Sequence, residues 1–169
     1  MGISEDSTQP DLSHINRLGN KQRGDVAEMV FMRKASSMGF AVAKPWADGE
    51  PYDFVVRAGR VFWRVQVKSV RSKRAHRKHY RVLASHRLRI GYTADEIDFL
   101  AAYIFPEDTW YIFPVAFVET RKVVCVTPKS KRSAMEKYRE AWKLMEQPSS
   151  EFTSESSAVG NDPEALPDK

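Results

Sequence analysis

Cysteine is nearly absent from this chain: Cys125 stands alone among 169 residues. A single thiol excludes an intramolecular disulfide and any cysteine-cluster metal site, and it suits a reducing compartment. It lies in the apolar run Val123-Val124-Cys125-Val126, where a small buried core residue is expected. Long hydrophobic runs are missing as well. No stretch reaches the length of a membrane span, and the opening residues are polar rather than signal-like, so no membrane partner and a cytoplasmic location are expected. Acidic residues are absent from one whole segment, residues 69–94. That segment holds Arg71, Lys73, Arg74, Arg77, Lys78, Arg81, Arg87 and Arg89 with three histidines. An unrelieved basic block of this kind reads as a track for a polyanion, although charge runs are also common in solvated loops. The histidines do not read as a zinc site, because the segment offers no cysteine or carboxylate to complete one.

What remains is enough for one folded domain. Hydrophobic residues make up 42% of the chain and aromatics 11%, so a core can form within residues 20–147. Residues 1–19 are polar and aperiodic, and residues 148–169 carry five acidic side chains against one lysine. Both ends are expected to be disordered, the second as an acidic tail. A helix is expected from Lys21, with Val26, Met29, Val30, Phe31 and Met32 forming a broad apolar surface and Gly39 as its closing residue. Glu28 falls on the stripe of Phe31, Met32 and Ala35. A carboxylate placed there needs a partner, whether a rim lysine or arginine or something in a site.

The most informative stretch runs from Asp53 to Lys68. From Arg60 onward, Val61, Trp63, Val65 and Val67 alternate with Arg64, Gln66 and Lys68, the period of a strand with one buried and one polar face. Val55-Val56 begins a preceding strand, and Ala58-Gly59 reads as the two-residue turn between them. That register sets Asp53 opposite Arg64, with Gln66 its diagonal neighbour and Lys68 projecting from the same face. A carboxylate, an amide and an ammonium on one patch could hold an ion. They also suit the solvated half of a one-sided sheet.

Further strands are expected at Phe40–Ala43, at Tyr80–Ala84, at Phe99–Phe105 and at Trp110–Phe113, with a short edge strand at Val123–Val126. Asp98 reads as a turn cap or a supporting acid. A second helix is expected over residues 133–147, with Ser133 as N-cap and Met135, Tyr138, Trp142 and Met145 on one face.

These blocks together resemble the PD-(D/E)XK nuclease superfamily, and within it the group I intron-associated, homing-type endonucleases, which are related in fold to archaeal Holliday-junction resolvases. The resemblance rests on Arg23-Gly24-Asp25-Val26-Ala27-Glu28, Tyr52-Asp53-Phe54, Arg64-Val65-Gln66-Val67-Lys68, Asp98-Phe99-Leu100-Ala101 and Trp110-Tyr111-Ile112-Phe113-Pro114. Tyr52 stands where the superfamily has proline, and Gln66 where it has an acid, a change that the homing-type branch shares. The resemblance implies an α/β, restriction-endonuclease-like core: a mixed central β-sheet flanked by helices, opening α-β-β-β. It implies catalytic roles for Glu28, Asp53, Gln66 and Lys68. A Mg2+ ion, with Mn2+ a substitute, would take Asp53, Gln66, the Val67 carbonyl and Glu28 as ligands. Double-stranded DNA would be the substrate, contacted by Arg71, Lys73, Arg74, Arg77, Lys78 and Arg81, and the protein would associate with the nucleoid when bound. A double-strand cut implies a homodimer or larger assembly. A junction-resolving or repair-type nuclease is the alternative within this chemistry. A catalytically silent nucleic-acid-binding protein is the alternative outside it.

Overall fold

The computed structural model describes residues 12–46, 49–73, 78–86 and 90–146. Arg74, Arg77, Arg87, Arg89 and the acidic segment 148–169 lie outside these residues. The first described elements are α1 (Leu12–Arg17) and α2 (Asn20–Ser37), followed by β1 (Ala41–Ala43), β2 (Phe54–Ala58) and β3 (Val61–Val70). Then come β4 (Tyr80–Leu83), β5 (Phe99–Ile104), β6 (Thr109–Pro114), a single helical turn α3 (Val115–Val118) and β7 (Val123–Val126). Five strands form one sheet in the order β1-β2-β3-β5-β6, and β4 pairs with β7 in a second, two-stranded sheet. The large sheet is mixed, since β3 runs parallel to β5 while its other pairs are antiparallel. The α-β-β-β order from α2 to β3 is as the sequence implies.

β5, β6 and the middle of β3 are buried on both faces of the large sheet. On one side Ala27, Phe31 and Ala35 of α2 pack with Phe54, Val56, Val65, Ala101 and Ile112. On the other, Leu100, Ala102, Ile104 and Phe113 pack with Tyr80, Val82, Val124 and Val126 of the small sheet. Phe31 is the hinge of the first core, its ring 5.2 Å from that of Phe54, 5.5 Å from Trp110 and 5.7 Å from Trp142. Truncating such a residue to alanine costs about 3–5 kcal/mol. The polar side of β3 is therefore not solvated at its middle, contrary to what its alternation suggests: Gln66 is itself buried, only 8% exposed.

Several sequence expectations change in register or kind. Ala58 pairs with Val61 and Phe54 with Val65, so the hairpin loop is Gly59-Arg60 rather than Ala58-Gly59. Gly59 takes φ 61°, a left-handed value that glycine adopts without strain in a two-residue hairpin loop. Gly39 takes φ 89° after α2, as a helix-terminating residue should. Residues 12–17 are helical, not aperiodic, and Ile15 is buried against the first core. Met29 and Met32 are exposed, so the buried stripe of α2 is narrower than its composition suggests.

The second helix does not form as one element. Two 3-10 turns, Ala134–Tyr138 and Trp142–Met145, are separated by Glu140 at φ 50°. Glu140 is held to the sheet: its N–H donates to the Trp110 carbonyl, and its carboxylate accepts the Trp110 N–H at 2.7 Å. These bonds to β6 outcompete helix propagation, while Trp142 and Met145 remain buried. Val123–Val126 pairs with β4 rather than edging the large sheet, and Cys125 alternates outward and is exposed. Alternation across a one-sided strand, not the apolar run, decides its burial.

Candidate active site

Asp53 lies one residue before β2, where the chain joins the β2–β3 ladder. Its N–H donates to the Val65 carbonyl at 3.0 Å. Its carboxylate Oδ2 accepts the Val67 N–H at 2.7 Å and a hydrogen bond from the Gln66 side-chain amide. The same amide nitrogen lies 3.1 Å from the Val67 carbonyl oxygen. Gln66 is thus in direct contact with Asp53, not diagonal to it, because the loop is displaced from the expected position. That displacement pairs Arg64 with Val55. The Arg64 guanidinium turns away to Asp98, with its Nε and one terminal nitrogen 3.1 and 3.0 Å from the carboxylate. Asp98 also accepts the Arg64 N–H at 2.7 Å. It locks β3 to the entry of β5 and is neither a turn cap nor part of the cleft.

Glu28 comes from α2 and is paired with Lys44, just beyond β1, at 2.6 Å. The rim pairing therefore exists, and it does not remove Glu28 from the site. A cleft of about 780 Å³ is lined by Glu28, Lys44, Tyr52, Asp53 and Lys68 together with the opening turns of α2. An adjoining cleft of about 370 Å³ brings Glu28, Asp53 and Lys68 together with Gln66 and Val67. The structure gathers the four candidate catalytic residues around one space. Of the candidate phosphate-contacting residues, Arg71, Lys73 and Lys78 are exposed, and Arg81 is half-buried in β4. Arg71 donates to the Asn16 carbonyl, and the Lys73 ammonium stands 4.8 Å from the Tyr80 ring centre.

The electrostatics of the site follow from its burial. Burial pushes the Asp53 carboxyl up to about 6, with Glu28 adding to the effect and the Val67 N–H and Lys68 opposing it. Burial likewise lowers the Lys68 ammonium from its ordinary value, against the pull of Asp53 and Glu28. Both charges are desolvated and undercompensated, the condition typical of working groups. The hydrogen bond to Glu28 raises Lys44.

Two neighbours of the site carried no sequence signal. Lys44 is an ordinary lysine after a short strand. Tyr92, buried in the loop before β5, sets its ring 5.5 Å beneath the Lys68 ammonium. Neither a spacing nor a motif points to them.

The donor set suits a hard cation. It offers the Asp53 and Glu28 carboxylates and the Val67 carbonyl, all oxygens, with the Gln66 amide beside them and room for water. Among the described residues no group of three His, Cys, Asp or Glu gathers, so an ion here would rest on two carboxylates supplemented by a carbonyl, an amide and water. In the structure the Gln66 amide bridges two of these oxygens, Asp53 Oδ2 and Val67 O, through its nitrogen. Rotating the amide by half a turn would present its oxygen instead.

Comparison with known proteins agrees with this architecture. A family model described as PD-(D/E)XK endonuclease matches residues 18–145. The structure is similar to that of a bacterial homing endonuclease, I-Ssp6803I, with a TM-score of 0.65 and 30% sequence identity over 75% of this chain and 91% of that one. It also aligns with Hjc, a Holliday junction resolvase from Archaeoglobus fulgidus, at a TM-score of 0.42 and 22% identity, covering 63% of this chain and 84% of that one. No curated protein sequence matches. The fold is a restriction-endonuclease-like α/β core, as its motifs imply.

Proposed function

This chain belongs to the PD-(D/E)XK endonuclease family, and we propose that it is a Mg2+-dependent, homing-type endonuclease hydrolysing phosphodiester bonds of double-stranded DNA. The observation that carries this reading is the convergence of Asp53, Gln66, Val67, Lys68 and Glu28 on one cleft, from a hairpin and a helix. Its likeness to a bacterial homing endonuclease supports the choice of subclass.

A divalent ion in this cleft would supply positive charge to the phosphate and a hydroxide at neutral pH. The Asp53 carboxylate and the Val67 carbonyl would hold it, with the Gln66 amide oxygen and Glu28 as further ligands. The Val67 N–H orients the Asp53 carboxylate. Lys68, desolvated and facing Asp53 and Glu28, would orient the attacking water or neutralise charge developing on the phosphate. The basic segment beyond β3 would track the flanking phosphates. Cutting both strands takes two such sites, so a homodimer or larger assembly is part of the proposal, acting in the cytoplasm on nucleoid DNA.

The deciding experiment is nicking and linearisation of supercoiled plasmid in Mg2+, with EDTA and Asp53→Ala as controls. Cleavage that needs the metal and vanishes with Asp53→Ala is expected. A wild-type protein that binds DNA without cutting it would leave a binding module on a nuclease fold. Preference for a four-way junction over linear duplex would move the assignment to a resolving enzyme.

A further inference from the structure

Gly24 is the fifth residue of an 18-residue helix, a position where glycine weakens the helix relative to alanine. The usual reasons for glycine do not apply there. Its backbone is right-handed and helical, and it is far from the C-terminal end of α2. A Cβ built at Gly24 meets no heavy atom within 4 Å, so no neighbouring segment of the described protein needs the space. Yet Gly24 is half-buried, and it lines both clefts of the candidate site with Glu28, Asp53 and Lys68. Glu28 lies one helical turn further on, directly beside it on the same face, and Asn20 one turn before. The bare Cα therefore faces the space immediately next to the Glu28 carboxylate.

We propose that Gly24 is a close-contact position for the sugar–phosphate backbone of the substrate strand, kept free of a side chain so that the backbone can lie against α2. The inference rests on the endonuclease reading and adds to it a surface beyond the reacting phosphate. A phosphate brought to the cleft of Glu28, Asp53 and Lys68 must have its own chain entering or leaving it. The strip Asn20–Gly24–Glu28 is the helix surface along which that chain would pass. A methyl group at position 24 occupies the space that a deoxyribose would fill. The cost of glycine to the helix is then offset only when substrate is bound.

Gly24→Ala tests this in three measurements on the full chain. Its melting temperature should hold or rise, because alanine favours the helix and clashes with nothing. Its affinity for duplex DNA, measured by fluorescence anisotropy with Ca2+ in place of Mg2+, should fall at least fivefold. Its Mg2+-dependent cleavage at subsaturating DNA should fall about tenfold or more, and Gly24→Leu should lose more still. A drop in melting temperature for Gly24→Ala would give the glycine a structural cause and overturn the proposal. Binding and cleavage within twofold of wild type would overturn it as well. If wild-type protein neither binds nor cuts DNA, the endonuclease reading itself fails. If wild type does both and Gly24→Ala does so equally, only the role of Gly24 is lost.

Discussion

The Asp53 carboxylate and the Gln66 amide are hydrogen-bonded across the mouth of the β2–β3 hairpin, and the same carboxylate oxygen accepts the Val67 N–H at 2.7 Å. A neutral donor thus compensates a buried carboxylate where the superfamily pattern has a second acid.

Replacing that donor should reverse the balance. Gln66→Glu sets two carboxylates together in a buried place, which raises the cost of the metal-free fold. Its melting temperature in EDTA should drop below that of wild type. Added Mg2+ should raise it by a larger increment, since the ion binds only the folded state. Cleavage should persist and reach half its maximum at a lower Mg2+ concentration. A metal-independent melting temperature in both proteins would argue against an ion at this position.

Lys68 separates chemistry from binding. Its ammonium is desolvated between Tyr92 and the Asp53–Glu28 side of the cleft, unlike the exposed lysines of the basic segment. Lys68→Ala should leave DNA affinity nearly intact and slow single-turnover cleavage by about a hundredfold or more. Equal losses of binding and cleavage would make it one more phosphate contact.

The raised Asp53 carboxyl gives stability a defined pH dependence. The folded protein holds this proton more tightly than the unfolded chain, so the contribution is full below the unfolded value of 3.8 and lost as pH rises through about 6. In EDTA at pH 7, Asp53→Asn should therefore be more stable than wild type, on the order of 2–3 kcal/mol. The gap should close as pH falls to 4. Urea titrations of the two proteins across that range provide the comparison, and a gap independent of pH would contradict the burial of the charge.

The basic segment should reveal itself through salt. Lys78→Ala and Arg81→Ala should weaken binding to any duplex sequence similarly. Each should lower the slope of log affinity against log salt by about 0.9 if it removes one phosphate contact. Unchanged slopes would reassign these residues to a solvated surface.

Much of the site was legible because it lies on a local hairpin. The alternation of Val61, Trp63, Val65 and Val67 defined β3, and an even shift of register kept Asp53 and Gln66 together. The loop was misplaced by one residue, because Ala58-Gly59 and Gly59-Arg60 both offer a glycine for the turn. Burial on the second face of β3 was hidden, since it depends on the core shared with the small β4–β7 sheet, contributed from later in the chain. Residues 133–147 carried helical spacing, but Glu140 bonds to β6 and interrupts the helix, a tertiary contact that no local pattern encodes. Lys44 and Tyr92 reach the site only through the fold.

The parallel pairing of Val65 with Phe99 joins segments that lie far apart along the chain. The β2–β3 hairpin closes over two residues and can form within microseconds, carrying Asp53, Gln66 and Lys68 with it. Its parallel neighbour must be brought back across the whole basic segment, and the entropy of that closure comes due before the contact is made. The hairpin thus brings the site's side chains together from within one local segment, while their burial depends on segments later in the chain. Mutations in the β3–β5 ladder should therefore act mainly on the slow step of folding.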